Sequence, residues 1–276
     1  MYIFFVAGSK TYLDLLREQG VENILISYFY MKKSERYSLL EKLEFKRIFL
    51  DSGAFTAQQT GKTIKVSEYG GFLEWNKNKI YCAANFDFGT LEQQAENQIE
   101  LEKYYPVFPV FHHAEYVGKT YRYLLEEFCQ KYDLIALGGM NNVRLSKNEL
   151  QSYLDWCFSI IMKYPKVRVH GFGQTNPELL KRYPFFSVDS TSWLTPARFG
   201  TNLVWKNFRA STLNYKDINS YKKGIHLGDV NSYLSRCAET IKEFINMQND
   251  ITYLWEKRGI KWADLSADNS VLTNLK

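Results

Sequence analysis

Several short apolar runs in this sequence end in a side chain that can carry chemistry. Two carboxylates that face one small cavity can divide labour, because one attacks an electrophilic carbon while the other, with a raised pKa, donates or removes a proton. Retaining glycosidases use such a pair. A single aspartate at a strand end often only caps the next helix, whereas several that converge favour a reactive site. The residues are Asp51, Asp87, His112, His113, His170 and Asp189.

Two glycine-containing segments also follow apolar runs. Gly138-Gly139 and Gly171-Phe172-Gly173 would let a planar ligand approach the backbone closely enough to meet main-chain N–H and C=O groups. The alternative is that they form tight turns between strand and helix. Neither segment is a dinucleotide-binding fingerprint, since no G-x-G-x-x-G follows a strand.

The elements that must position these residues alternate between short strands and longer amphipathic helices, as in βα units around a parallel sheet. Eight runs are mostly continuous in apolar residues, which is typical of buried parallel strands. We therefore predict an α/β protein with a (β/α)8 TIM barrel, whose active site lies at the C-terminal strand ends; a six-stranded doubly wound sheet is the alternative. The predicted strands are Tyr2–Val6, Asn23–Ser27, Arg47–Asp51, Ile80–Asp87, Tyr105–Phe111, Leu134–Gly138, Val167–Gly171 and Phe185–Asp189.

Helical patterns lie between the strands and after the last one. Ser146 and Glu149 form a capping-box pattern ahead of an apolar stripe at Leu150, Leu154, Cys157, Phe158 and Ile161. After Thr201 the alternation stops, and we expect residues 205–276 to form a helical C-terminal extension packed on a barrel of residues 1–204, within one domain. Its apolar face is predicted at Leu234, Ile241, Phe244, Ile245 and Leu254. The predicted helices are Ser9–Gln19, Ser34–Leu43, Leu91–Tyr104, Tyr121–Lys131, Ser146–Lys163 and, as one or two helices, Asp229–Gly259.

Composition limits the class of protein further. The chain has 276 residues, 45% hydrophobic content and a net charge of +5, which fits a single large domain and is compatible with a phosphate-bearing partner. No stretch approaches the length of a membrane span, and the apolar start lacks a basic region, so we expect a cytoplasmic protein without membrane contact. The four cysteines match neither a disulfide framework nor a zinc site, so no metal and no cofactor are predicted.

Five short motifs, in order along residues 45 to 205, resemble those of the tRNA-guanine transglycosylases. The similarity is closer to the DpdA-like transglycosylases of phages and bacteria, which insert 7-deazaguanine bases into DNA. The motifs are Leu50-Asp51-Ser52-Gly53-Ala54-Phe55, Asn85-Phe86-Asp87, Ala136-Leu137-Gly138-Gly139-Met140, His170-Gly171-Phe172-Gly173 with Pro177-Glu178-Leu179-Leu180, and Ser187-Val188-Asp189-Ser190 with Pro196-Ala197-Arg198-Phe199-Gly200.

The resemblance implies base exchange at C1′ of a guanosine nucleotide, in which guanine leaves and a 7-deazaguanine base such as preQ0 takes its place. By motif position, Asp189 is the nucleophile and Asp51 the carboxylate that handles protons. Phe55 stacks on the base, and Asp87 accepts hydrogen bonds from it. The other base-binding residues implied by the matching motifs are Ser52, Gly138, Gly139, Met140, His170 and Gly171.

Three departures from the family pattern bear on the substrate. The zinc site of the tRNA enzymes has no counterpart, His112-His113 stands where they have Gln-Gly-Gly, and Ala54 replaces a second glycine. We therefore expect DNA as the partner, with tRNA as the alternative, and His112 in place of the amide that binds the base. The target nucleotide must be flipped out or single-stranded to reach the cavity.

Contacts with the nucleic acid are predicted at Arg198, Ser190 and Trp193, although Trp193 could equally close the core. Two other functions stay open: a hydrolase that removes the base with water, and a noncatalytic nucleobase-binding or DNA-binding partner in a modification system. The sequence also leaves open a homodimer or a partner protein. Scattered basic residues that could hold phosphates are Lys32, Lys33, Lys62, Lys206, Arg209, Lys222 and Lys223.

Overall fold

The structure is a computed structural model that describes residues 1–31, 40–140, 145–214 and 232–265. A parallel sheet forms its centre, with helices on the outside. The strands of this sheet are β1 (Tyr2–Val6), β2 (Asn23–Ser27), β3 (Arg47–Asp51), β4 (Cys82–Ala84), β5 (Val107–Phe108), β6 (Val110–His112), β7 (Leu134–Gly138), β8 (Arg168–Gly171) and β9 (Ser187–Ser190). The helices around it are α1 (Lys10–Glu18), α2 (Ala54–Thr60), α3 (Val66–Trp75), α4 (Leu91–Leu101), α5 (His113–Val117), α6 (Tyr123–Lys131), α7 (Lys147–Ile161), α8 (Pro177–Arg182) and α9 (Thr195–Arg198).

The sheet closes into the predicted barrel through a divided fifth strand. Its order is β5-β4-β3-β2-β1-β9-β8-β7-β6, and β5 and β6 are two parts of one barrel strand separated by Pro109. Proline has no N–H to donate and interrupts a ladder, so the single predicted strand Tyr105–Phe111 is corrected to two. The Asn85 amide donates to the Phe108 carbonyl at 3.0 Å, and the Ala136 amide donates to the Pro109 carbonyl at 2.9 Å. The (β/α)8 prediction is confirmed, and the doubly wound alternative is wrong.

Aromatic side chains fill the inside of the barrel. Phe49 lies at the centre of this cluster, with ring centroids 5.5 Å from Phe4, 5.3 Å from Phe108 and 4.6 Å from His170. All three contacts are edge-to-face or close to it, the arrangement that aromatic quadrupoles favour. The interior is therefore a packed core, and the strand ends above it have a rigid base.

The helix boundaries follow local capping chemistry. Ser9 caps α1, and Ser146 forms the predicted capping box with Glu149 at the start of α7. Along α7 the buried face is that of the predicted stripe, except that Tyr153 is buried and Leu150 is only partly so. The predicted helix Ser34–Leu43 falls mostly outside the described residues, which include only a 3-10 turn at Leu40–Lys42.

The region after Thr201 differs from the predicted helical extension. An antiparallel hairpin of β10 (Thr201–Lys206) and β11 (Arg209–Asn214) comes first, so helix is wrong for 205–214. A single helix, α10 (Tyr233–Lys257), then packs on β10, β1 and α9. It buries Ile241 and Phe244 as predicted but leaves Leu234 exposed. Although α10 has 25 residues, no helix in the described part of the chain is both long and apolar enough to cross a membrane.

Residues 259–265 lie across the N-terminal end of the barrel, opposite the candidate site. Arg47 anchors this segment: its guanidinium binds the carboxylate of Asp264 at 2.5 Å and that of Glu22 at 3.3 Å. The same guanidinium lies 4.1 Å from the centroid of the Tyr2 ring. Since only 6% of the Arg47 side chain is exposed, the charge depends on these contacts.

We expect Arg47→Ala to lower the free energy of unfolding by about 2 kcal/mol, because it leaves Asp264 without its buried counterion. Urea denaturation measures the change. Lys46→Ala is the matched control, since Lys46 makes an exposed 3.2 Å pair with Glu22 and such pairs contribute about 0–1 kcal/mol. Equal losses in both variants would contradict the assignment of Arg47 as an anchor.

Candidate active site

A cavity of about 390 Å³ opens at the C-terminal ends of the barrel strands. It brings together residues that the sequence places far apart, from the ends of β3, β6, β7 and β9 and from the loops after β4 and β8. This candidate catalytic cavity is lined by Val6, Leu25, Ser27, Tyr30, Asp51, Phe55, Thr56, Asp87, His112, Gly138, Gly139, Met140, Phe172, Gly173, Asp189, Ser190 and Thr191.

Asp189 is held by one of its two carboxylate oxygens. Its Oδ1 accepts hydrogen bonds from the Gly173 amide at 2.9 Å and from Nε2 of His170 at 3.1 Å. Its Oδ2 accepts none from the residues described here. The carboxylate is 11% exposed and lines the cavity, so one oxygen is fixed in place while the other is available to a ligand.

His170 supports Asp189 from inside the barrel. Burial lowers the pKa of His170, and the Asp189 carboxylate only partly offsets this effect, so the ring is neutral. A neutral imidazole has one donor and one acceptor nitrogen. Because Nε2 faces a carboxylate, it carries the proton, and Nδ1 accepts from the Ser187 hydroxyl at 2.9 Å. The chain Ser187–His170–Asp189 therefore orients the carboxylate.

Asp51 is the second carboxylate of the cavity, and its proton affinity is raised. Burial raises the pKa of Asp51 to about 7, with a further contribution from the negative charges of Asp87 and Asp189. The Gly53 amide, which donates to Asp51 Oδ2 at 3.1 Å, offsets part of this increase. A carboxyl group with this pKa exchanges protons readily near neutral pH.

Asp87 forms an ion pair with His112, which is itself held by Glu115. The distance from His112 Nε2 to Asp87 Oδ2 is 2.8 Å, and Nδ1 lies 3.7 Å from Glu115 Oε1. Glu115 Oε2 also accepts from the His112 backbone amide at 2.5 Å. Burial lowers the pKa of His112, but the two carboxylates outweigh burial and raise it to about 10. His112 is thus an imidazolium that pairs with the Asp87 carboxylate.

Glycine is required at two points of this site. Gly53 has φ +79°, and a Cβ there would lie 2.3 Å from Cβ of Phe29, so the tight turn that starts α2 needs glycine. This turn brings Phe55, which is 49% exposed, to the edge of the cavity. At Gly138, a Cβ would lie 2.9 Å from Cδ2 of His112, so glycine lets that ring lie against the strand.

Four predicted site residues are buried and do not line the candidate catalytic cavity, and these assignments are corrected. Ser52 is fully buried, and its hydroxyl accepts from the Ala54 amide. His170 is fully buried beneath Asp189, so it orients that carboxylate instead of contacting a base. Gly171 packs against Phe185, where a Cβ would lie 2.8 Å from the ring. Trp193 is fully buried and donates to the Val6 carbonyl at 3.2 Å, so it closes the core.

Arg198 is exposed at the end of α9 and does not line the cavity, whereas Ser190 does. The basic residues predicted to hold phosphates include Lys62, Lys206 and Arg209, all exposed. Lys32, Lys33, Lys222 and Lys223 lie outside the described residues.

Several residues at the site were not predicted from the sequence. Tyr30 lines the cavity from a 3-10 helix after β2, Thr56 from the first turn of α2, and Thr191 from the loop after β9. Nothing in their local sequence marks them. Glu115 had a usable signal, because it lies three residues after His112 in a capping-box spacing. Phe172, which lies between Gly171 and Gly173 in the sequence, also lines the cavity.

The site combines a fixed carboxylate, a carboxyl group with a pKa near neutrality and a third carboxylate paired with an imidazolium. These groups suit nucleophilic attack, proton transfer and recognition of N–H donors, respectively. Within the described ranges, no group of three or more His, Cys, Asp or Glu side chains is arranged to hold a metal ion.

We expect Asp51→Asn to increase stability at pH 8 by about 2 kcal/mol and to have little effect at pH 4. The folded-state pKa of about 7 lies above the unfolded value of 3.8, so the folded state binds more protons between these values and the wild type loses stability as pH rises through that window. Urea unfolding at both pH values measures the difference. Glu18→Gln, at an exposed position of α1, is the control, and a difference that does not change with pH would contradict the raised pKa.

We expect Glu115→Gln to lower the pKa of His112 by about 1 to 2 units, because one of its two carboxylate neighbours becomes neutral. Glutamine keeps an oxygen that can accept from the His112 amide, so the capping box survives. An NMR titration of the imidazole C–H signals reports the pKa directly. The control is Glu100→Gln, a change at an exposed position of α4, and an unchanged His112 titration would show that Glu115 does not stabilise the cation.

Comparison of the chain with models of protein families and with curated proteins finds no match. The functional assignment therefore depends on the geometry of the site and on the chemistry of its residues.

Proposed function

We propose that this chain is a glycosyltransferase that exchanges guanine in DNA for a 7-deazaguanine base through a covalent bond between Asp189 and C1′ of the nucleotide. The observation that carries the proposal is the asymmetry of the two main carboxylates. Asp189 is fixed through Oδ1 and has Oδ2 available, while Asp51 in the same cavity has a pKa of about 7. A nucleophile and a separate proton carrier are what base exchange requires.

In the first half of the proposed reaction, Asp189 forms an ester bond to C1′ as the bond from C1′ to N9 of guanine breaks. The bonding electrons leave with the base. Protonated Asp51 supplies the proton that the departing guanine needs. Because burial and the neighbouring carboxylates favour the protonated form of Asp51, a proton is present when the leaving group requires it.

In the second half, the incoming base occupies the position that guanine has left. Asp51, now ionised, accepts the N9 proton, N9 attacks C1′, and the ester bond to Asp189 breaks. One glycosidic bond has replaced another, so the exchange balances without an oxidant, a reductant or a nucleotide cofactor. Asp51 returns to its protonated form, and Asp189 to its carboxylate form.

Recognition of the base is assigned to the remaining polar groups of the cavity. The ion pair with His112 leaves Asp87 Oδ1 available to accept from ring and amino N–H groups. Gly138 and Gly139 line the cavity without side chains, so their main-chain groups can meet a flat ligand closely. Phe55, half exposed at the cavity edge, offers an aromatic face. His112 acts by fixing Asp87, since both of its ring nitrogens face carboxylates.

A nucleic-acid substrate would have to present its target base outside the stack, because the cavity lies inside the ring of strand ends. The cavity lining contains three carboxylates and no Lys or Arg among the described residues. Phosphates must therefore lie outside it, where Arg198 is exposed at the end of α9, the helix that follows the strand carrying Asp189. DNA is the proposed polymer, and tRNA is the alternative that the experiment must separate.

We expect the wild-type protein to incorporate labelled guanine into single-stranded, guanine-containing DNA, and Asp189→Asn to reduce incorporation by at least about 10³-fold because the nucleophile is lost. Label retained in precipitated polymer is measured in parallel reactions with DNA and with tRNA. Asp14→Asn, which alters a partly exposed carboxylate on α1 outside the cavity, is the matched control. Denaturing electrophoresis of wild type with DNA should also show a covalent adduct that Asp189→Asn lacks.

The outcomes separate the candidate functions. Label in tRNA alone would keep the chemistry and change the substrate. Abasic sites without incorporated label would indicate a hydrolase that uses water as the acceptor. Nucleic-acid binding without either product, and unaffected by loss of Asp51 and Asp189, would indicate a noncatalytic binding protein and overturn the proposal.

A further inference from the structure

A second cavity, of about 340 Å³, lies between α4 and α6. Pro109 and Phe111 line it, so it lies against the division of the fifth strand. None of its lining residues also lines the candidate catalytic cavity. We call this space the interhelical cavity. Its lining is mostly apolar and includes three exposed side chains that a bound molecule would cover: Ile99, Tyr121 and Tyr123.

Two buried amide side chains in the wall of the interhelical cavity each have an oxygen without a partner. Gln98 is 6% exposed and Asn85 is 4% exposed. Gln98 Nε2 donates to the Val107 carbonyl and to Glu102 Oε1, both at 2.7 Å. Asn85 Nδ2 donates to the Gln94 carbonyl at 3.1 Å. The amide nitrogens are thus in use, whereas Gln98 Oε1 and Asn85 Oδ1 accept no hydrogen bond from a residue that the structure describes.

The unpaired oxygens and the charge of the interhelical cavity limit what it can bind. A buried acceptor without a donor costs free energy, which a ligand with N–H groups would recover. Glu92, Glu115 and Glu127 line the cavity, against Lys131 as its one basic residue. Backbone hydrogen bonding at the start of α4 lowers the pKa of Glu92, so this carboxylate is ionised at neutral pH. A positively charged donor therefore fits the site, whereas an anion is repelled.

We propose that the interhelical cavity binds a small organic cation, an ammonium or guanidinium group on an apolar body, and that this site is coupled to the candidate catalytic cavity. The proposal does not depend on base exchange. The apolar body packs against side chains such as Phe111 and Leu124, while the charged N–H groups donate to the free oxygens of Gln98 and Asn85. Charge-assisted hydrogen bonds are stronger than those between neutral groups, so a cation is preferred to a neutral donor of the same size.

Glu115 connects the two cavities. It is 8% exposed and lines the interhelical cavity, and its Oε1 lies 3.7 Å from Nδ1 of His112. His112 in turn pairs with Asp87 in the candidate catalytic cavity. A cation in the interhelical cavity brings a second positive charge towards Glu115 and so weakens the stabilisation of the His112 imidazolium. Occupancy of one cavity thus affects the ion pair that holds Asp87 in the other.

The test is an NMR titration of the protein with three ligands that share an apolar chain: hexylguanidinium, hexanol and hexanoate. Backbone amide shifts of α4 and α6 report binding. We expect hexylguanidinium to bind about tenfold more tightly than hexanol, the gain from one or two charge-assisted hydrogen bonds, and hexanoate to bind most weakly. At saturation with hexylguanidinium, but not with hexanol, the pKa of His112 should be lower by about 0.5 to 1 unit.

Variants locate the cation in the interhelical cavity. Gln98→Met keeps an unbranched side chain but has no amide oxygen, so the affinity ratio of hexylguanidinium to hexanol should fall about threefold. Glu127→Gln, which removes a charge from the wall, should lower the ratio about twofold. Glu126→Gln is the matched control, because Glu126 is exposed on the same helix and does not line the cavity. A ratio cancels any general loss of folded protein.

The remaining outcomes contradict the inference. Equal affinity for hexylguanidinium and hexanol, tightest binding of hexanoate, or no binding of any of the three would overturn it. A cation preference that survives both Gln98→Met and Glu127→Gln would place the ligand elsewhere and also overturn it. Binding that leaves the His112 titration unchanged would overturn the coupling. These measurements need no base exchange, so failure here is distinct from failure of the proposed function.

Discussion

The structure depends on one electrostatic constraint: three carboxylates share a partly buried cavity that contains a single cationic side chain among its described lining residues. Like charges at short range in a medium of low polarity repel strongly. Each carboxylate reduces this repulsion in a different way. Asp189 is stabilised by an amide and a neutral imidazole, Asp87 pairs with an imidazolium, and Asp51 binds a proton more readily. The three aspartates thus differ in how the negative charge is stabilised or removed.

The barrel places the three carboxylates in these different environments, because it brings strand ends from the whole chain to one rim and supports them on a packed interior. His170 shows the connection most directly. Its ring is part of the aromatic core around Phe49, and its Nε2 reaches up to Asp189. The position of the Asp189 carboxylate is therefore determined by the same packing that fills the barrel. At the opposite end, the Arg47 anchor holds the chain across the base of the barrel.

Much of the framework was predictable from the sequence, because buried parallel strands are continuous apolar runs. Four strands begin and end as predicted, among them Arg47–Asp51 and Leu134–Gly138, and most of the residues expected at the strand ends line one cavity. The hairpin was missed because its turn, Asn207-Phe208, has positive φ at both residues without the Asn-Gly pair that usually signals such a turn. The inward orientation of His170 was also missed, since a run of four residues does not reveal which side faces the barrel interior.

Pro109 divides the fifth strand into two parts that pair with different neighbouring strands. The first part pairs with β4 and the second part with β7, and only the second carries His112. A substitution of His112 changes the cavity rim at a position that takes no part in the pairing of Val107–Phe108 with β4. Pro109 thus separates the residues that pair with β4 from His112, the residue of this strand that lines the cavity.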